Sequence, residues 1–150
     1  MRNLMFNVPG APVPQSRPRI VLRGKNVIAY TPQKTKDYQT LVAECAYTAR
    51  ISKWGDLELI KSFVQVDISL YFLPPKSMSK ALTRKALNKE IFPGGGRNYG
   101  DVDNFAKCIL DGLNNVIWKD DLQVVDLRVR KYFGEIPGAW VYIKEVANNE

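Results

Sequence analysis

Residues 63–72 read FVQVDISLYF, and their alternation is the tightest constraint in the chain. Successive side chains of an extended strand point to opposite faces. Val64, Val66, Ile68, Leu70 and Phe72 therefore share one side, and Gln65, Asp67 and Ser69 share the other. A strand with one wholly apolar face has to be covered by another layer, so the chain must build a sheet with something packed on it. Pro74-Pro75 ends the strand, because proline brings no ladder N–H.

The remaining pattern supplies the partners. Leu4, Phe6 and Val8 alternate up to Pro9-Gly10 and predict a first strand. Pro12, Pro14 and Pro18 hold the next stretch extended and present Arg17 and Arg19. RIVLRGKNVIAY predicts a hairpin turning around Gly24-Lys25-Asn26. From about Gln33 to Lys53, Tyr38, Leu41, Val42, Cys45 and Ala49 recur at the spacing of an amphipathic helix. SMSKALTRKALNKE predicts a short lysine-rich helix with Ser79 as its cap. A further helix is predicted from Asp103, in the cap position, to about Trp118. Phe105, Ile109, Leu113, Val116 and Ile117 form its apolar side, and Lys107, Asp111 and Asn114 its polar side. QVVDLRVRKYF then alternates as a strand, with Val125, Leu127 and Val129 opposite Asp126, Arg128 and Arg130, and AWVYIKEV predicts a last strand. The expected class is α/β (α+β), a single domain over residues 1–150.

Composition narrows the function. With 22 Lys+Arg against 15 Asp+Glu the net charge is +7, which favours a polyanionic partner, most commonly nucleic acid. No run reaches the ~18 apolar residues of a membrane span, and the start is too polar for a secretory signal, so a soluble cytoplasmic protein without membrane contact is expected. The two cysteines, Cys45 and Cys108, lie in apolar helical patterns and are expected to be buried thiols. There is no histidine. That excludes histidine-based triads, histidine-ligated zinc hydrolases and nucleases with a histidine base, leaving carboxylates, lysine or a metal-activated water for any hydrolysis. The glycine segment PGGGRNYG lacks the G-K-[ST] ending of a phosphate-binding loop.

One acidic segment stands out in this basic chain. Asp101 and Asp103 are two apart, so in an extended segment both carboxylates project to one side, at the positive end of the helix that follows. Asp120 and Asp121 come after that helix. A helix of some fifteen residues would be ~22 Å long, so the two pairs meet only if the chain folds back. Joined, they would repel unless a cation sat among them, and carboxylate oxygens suit Mg²⁺. Lys107, on the same polar face as Asp103, would face charge developing on a phosphate. The plainer alternative makes Asp103 a helix cap and Asp120-Asp121 an ordinary turn, in a nonenzymatic basic DNA- or RNA-binding module. An EF-hand does not fit, since Phe105 stands at the fifth loop position with no glycine after it. A D-x-D nucleotide-sugar transferase fits poorly with so short and basic a chain.

DVDNFAKCILDGLNNVIWKDDLQVVDLRVRK resembles the signature of the RusA family of Holliday-junction resolvases: D-x-D-N-x-x-K, a short helix, then D-D-x-Q-V. PGAPVPQSRPR and YTPQKTKDY are similar to the opening of phage and prophage members. The resemblance implies a compact domain with a mixed β-sheet and packed helices, acting as a homodimer. It implies a Mg²⁺-dependent endonuclease (Mn²⁺ substituting) that binds branched, four-way DNA and nicks strands of like polarity symmetrically. Carried onto this chain, it makes Asp101, Asp103 and Asp121 catalytic acids and metal ligands, with Asp120 the adjacent acid of the metal set and Lys107 the motif lysine. The basic groups Arg17, Arg19, Lys34, Lys36, Arg97, Arg128 and Arg130 then become the expected DNA contacts, acting on phosphates rather than on sequence.

Overall fold

The computed structural model describes residues 1–16, 19–56, 58–94 and 100–147, without the side chain of Arg19. The glycine segment at 95–99 lies outside them. In chain order the elements are β1 (Asn3–Pro9), β2 (Arg19–Arg23), β3 (Asn26–Tyr30), α1 (Gln33–Trp54), β4 (Val64–Phe72), α2 (Lys80–Leu87), α3 (Val102–Leu113), a 3-10 turn (Asp121–Gln123), β5 (Val124–Phe133) and β6 (Gly138–Glu145).

Four strands form a mixed sheet in the order β1-β6-β4-β5. β6 is antiparallel to both β1 and β4, while β4 and β5 run parallel, with α3 lying in the crossover between them. The alternation of 63–72 does what it predicts. Val64, Val66, Ile68, Leu70 and Phe72 are buried, and the intervening residues are half-exposed. Their buried face meets Leu4, Phe6 and Val8 of β1, Val141 and Ile143 of β6, and the inner faces of α1 and α3 in one apolar cluster. Both helices cover this inner face, α1 packing through Tyr38, Val42 and Ala46 and α3 through Phe105, Cys108, Ile109 and Leu113. Gly112 makes that helix contact possible, because a Cβ there would lie 2.9 Å from the Gln39 carbonyl. Burial raises the Cys108 thiol to about 12, so it is a packing group and not a nucleophile.

β5 departs from the pattern at its start. The register slips between Val64 and Gln65, which pair with Val124 and Asp126, so Val125 falls in a bulge; Val125 and Leu127 are both exposed, and of the predicted apolar face only Val129 packs against the core. The β2–β3 hairpin forms where expected and, among the described residues, pairs with no other strand. No helix among the described residues is long and apolar enough to cross a membrane.

Candidate active site on the polar face of alpha3

α3 is shorter than its apolar periodicity suggests. It begins with Asp101 in the cap position and Asp103 inside the first turn, and it stops at Leu113. The reason for the early stop is local. Asn114 is extended and Asn115 takes a left-handed φ of 65°, a conformation asparagine tolerates better than most residues. The chain then reverses. Asn115 N–H donates to the Trp118 carbonyl, Trp118 Nε1–H donates to Asn114 Oδ1 at 2.8 Å, and Ile60 N–H takes the Ile117 carbonyl at 2.8 Å. Val116 and Ile117 thus continue the apolar pattern as core residues of the reversal, with Trp118 fully buried beneath it.

This reversal carries Asp120 and Asp121 back alongside α3. Asp121 reaches Lys107, its Oδ2 accepting from Nζ at 2.7 Å. Asp111, one turn along α3, takes the same ammonium at 2.9 Å. Lys107 is therefore the shared cation of two carboxylates. Its hydrogen bond holds Asp121 below the usual carboxylate range, and the two acids together raise the lysine above its ordinary value.

Asp120 is held by the backbone of its own turn. Its side chain accepts from Leu122 N–H at 2.9 Å, and Gln123 Oε1 returns to the Asp120 N–H, a complete capping box around the 3-10 turn. Gln123 also donates to the carbonyls of Ile60 and Ser62 at 2.8 and 3.0 Å, tying the turn to the segment before β4. The Q of the D-D-x-Q-V motif thereby fixes where Asp121 stands.

At the other end of the face, Asp101 and Asp103 are exposed, and neither makes an ion pair among the described residues. Lys131 Nζ donates to the Gly100 carbonyl at 3.1 Å, fixing the backbone just before Asp101. This lysine escaped the sequence reading. Its signal was a charge at an inward position of β5, in step with Leu127, Val129 and Phe133 and opposite buried Leu70. Among the described residues no three acidic or thiol side chains converge tightly enough to make a metal cage by themselves. The donor set is nonetheless all carboxylate oxygen, which fits a hard divalent cation. Two of its acids lack a counter-charge and the third is balanced by a lysine.

The expected DNA contacts fall in three places. Lys34 and Lys36 are exposed on the first turn of α1, flanking buried Thr35. That turn is tied to α3 by the proline-held loop: Gln15 N–H donates to the Asn104 carbonyl at 2.9 Å, and Ser16 N–H to Thr35 Oγ1 at 3.4 Å. Arg128 and Arg130 pair with Asp67 and Ser69 in register, on the sheet face turned away from α3, and Arg130 is bound to Asp67 at 3.4 Å. Arg17, Arg97 and the side chain of Arg19 lie outside the described residues.

The family described as Endodeoxyribonuclease RusA matches residues 9–144, nearly the whole chain. The chain belongs to the RusA family. An uncharacterized protein, YqaN of Bacillus subtilis (strain 168), is 36% identical over 146 residues, covering 96% of this chain and 97% of that one. RusA membership makes this chain an endodeoxyribonuclease, with Holliday-junction DNA as the substrate class that the family implies.

Proposed function

We propose that this protein is a Mg²⁺-dependent, structure-selective endonuclease that resolves four-way DNA junctions by paired symmetric nicks, the whole chain acting as one domain in a homodimer. The observation that carries the reading is the polar face of α3, where exposed Asp101 and Asp103 precede a lysine-balanced Asp121. Asp101, Asp103 and Asp121 would hold the cation, Mg²⁺ or in its place Mn²⁺. Asp120, already committed to its capping box, stands beside the set as the second acid of the pair. When bound, such an ion supplies charge neutralisation at the scissile phosphate and water activated at neutral pH.

The chain's own residues do the rest. Asp111 and Asp121 hold Lys107 on the acidic face, where its ammonium meets the negative charge that builds on the phosphate. Gln123 and Lys131 fix the backbone on either side, so the acids are positioned before substrate arrives. Lys34 and Lys36, next to the start of α3, lead the phosphate contacts together with Arg17, Arg19 and Arg97, and Arg128 and Arg130, on the opposite sheet face, form a separate group of them. Contacts of this kind position the duplex arms and make affinity depend on salt.

Two nicks of like polarity need two equivalent sites, which a twofold dimer supplies. The β2–β3 hairpin supports this reading. Ile20, Leu22, Val27 and Ala29 form one face of it, exposed and free of charge, where two copies of a +7 chain meet without repulsion. Leu22→Asp is expected to convert the dimer to monomer in sedimentation velocity.

The experiment for the activity is incubation of a synthetic four-way junction and a matched linear duplex with and without Mg²⁺. Mg²⁺-dependent paired nicks in the junction alone are expected. Equal cleavage of both substrates defeats structure selectivity, and cleavage of neither leaves a nonenzymatic DNA-binding module.

A further inference from the structure

The sheet face opposite α3 carries an aromatic row that the nuclease chemistry does not use. Tyr71 of β4 and Tyr132 of β5 are in register, with ring centroids 5.6 Å apart, and Phe92 lies 6.1 Å beyond Tyr132. Lys89 holds its ammonium 4.4 Å above the Tyr132 ring. It does so from a left-handed backbone, φ 62°, which costs energy in a residue with a Cβ. Beyond Tyr71 the row opens into a cavity of about 470 Å³ between α2 and the β5–β6 turn, lined among others by Tyr71, Lys89, Glu135, Ile136 and Trp140. Phe92 is 57% exposed and Trp140 47%, so their rings face solvent although both sit beside other apolar groups.

The row lies across the sheet from the acidic face, and adjacent residues of β4 join the two sides. Tyr71 is followed by Phe72, which turns to the inner side and packs edge-on against Phe105 of α3 at 5.4 Å, two residues after Asp103. Aromatic rings in sequence beside a cation suit single-stranded nucleic acid, because every base has a π-face and every nucleotide a phosphate. A +7 chain supplies the long-range attraction. The cavity lies within the roughly 300–1,000 Å³ usual for ligand pockets. Glu135 at its rim is an acceptor suited to the amino groups of a base edge and unsuited to phosphate, so Lys89 marks the backbone side.

We propose that Phe92, Tyr132, Tyr71 and the adjoining Trp140 cavity form a stacking site for unpaired bases of branched DNA, with Lys89 meeting their phosphate. The inference rests on the branched-DNA reading, since bases at a branch point unpair more readily than those inside a linear duplex. Its test does not depend on cleavage. Binding of a short fluorescent oligothymidylate and of a linear duplex is followed by anisotropy in EDTA. Phe92→Ala and Trp140→Ala are each expected to weaken the single strand by roughly 5- to 150-fold while leaving the duplex within about threefold. Phe92→Tyr and Trp140→Phe, which keep a ring, are expected to stay within about threefold of wild type on both. Alanine variants that bind the single strand as wild type does overturn the site, and so does equal loss on both DNAs. A Trp140→Ala protein that turns monomeric while holding its single-strand affinity makes this face a contact between copies instead, and overturns it too. Failure of Mg²⁺-dependent nicking, by contrast, leaves the binding result standing.

Discussion

Asp101 and Asp103 open the polar face of α3 without an ion pair among the described residues, whereas Asp121, brought to the same face from beyond the chain reversal, is held by Lys107 at 2.7 Å. The two groups of acids share a face and differ in what balances them. Asp121 stabilises the fold as it stands, through an ion pair whose carboxylate side is only 19% exposed. Asp101 and Asp103 make no such pairing among the described residues, and they are the acids to which the proposed function assigns the cation. On the proposed reading, an added ion would compete with Lys107 for Asp121 and with no ion-paired lysine or arginine among the described residues for Asp101 and Asp103.

Three substitutions probe that difference. The largest effect is expected from Asp103→Asn. Mg²⁺-dependent nicking of a four-way junction should fall on the order of 10³-fold, since an acid assigned to the ion is lost. Gel-shift affinity for the junction should hold or tighten, because one repulsion of phosphate is gone. Retained nicking would make Asp103 a plain first-turn acid and erase the contrast with Asp121.

Lys107→Met comes next, with nicking reduced on the order of 10²-fold. It also leaves Asp111 and Asp121 facing each other without their shared cation, so stability in metal-free buffer should fall. The pH dependence has a definite sign. Asp121 is held below the ordinary aspartate value of about 3.9. Its contribution is therefore complete above that value and is lost as pH falls through the lower, folded value. The denaturation gap between wild type and Lys107→Met should accordingly be steady near neutrality and shrink below about pH 4. A gap that grows on acidification contradicts the pairing.

The smallest effect belongs to Asp120→Ala. Loss of the capping box should cost about 1 kcal/mol, a fall in melting temperature of roughly 2–4 °C, with nicking kept within about tenfold of wild type. A loss as large as that of Asp103→Asn would move Asp120 from cap to ligand.

Much of this was legible in the chain itself. The period-two run of 63–72 became β4 with its predicted face buried, because strict alternation leaves a strand one way to sit against a core. Ser79 caps α2, accepting from Leu82 N–H at 3.2 Å. The hairpin formed too, but its alternation says nothing about what covers it, and no other strand among the described residues pairs with it. The end of α3 was misjudged for a physical reason. Val116 and Ile117 are apolar because the reversal is buried, not because the helix continues, and periodicity cannot separate the two. The cap lies two residues before the expected Asp103, at Asp101, as end residues of a helix are the least determined by pattern. Lys107 and Asp111 lie on the polar side that the periodicity predicts, four residues apart, the spacing at which their ion pair forms. The reach of Asp121 to Lys107 did not, because it depends on the left-handed Asn115 and the burial of Trp118, which no local pattern encodes.

The most direct measurement is Mn²⁺ binding, followed by electron paramagnetic resonance, to wild type, Asp103→Asn and Asp121→Asn. The account predicts that each substitution weakens the same ion site by tenfold or more, on the order expected when a metal's surroundings are altered, and that the double variant loses little beyond the worse single one. Asp121→Asn binding Mn²⁺ as tightly as wild type while Asp103→Asn binds none would contradict it, leaving the later acid a partner of Lys107 and nothing more.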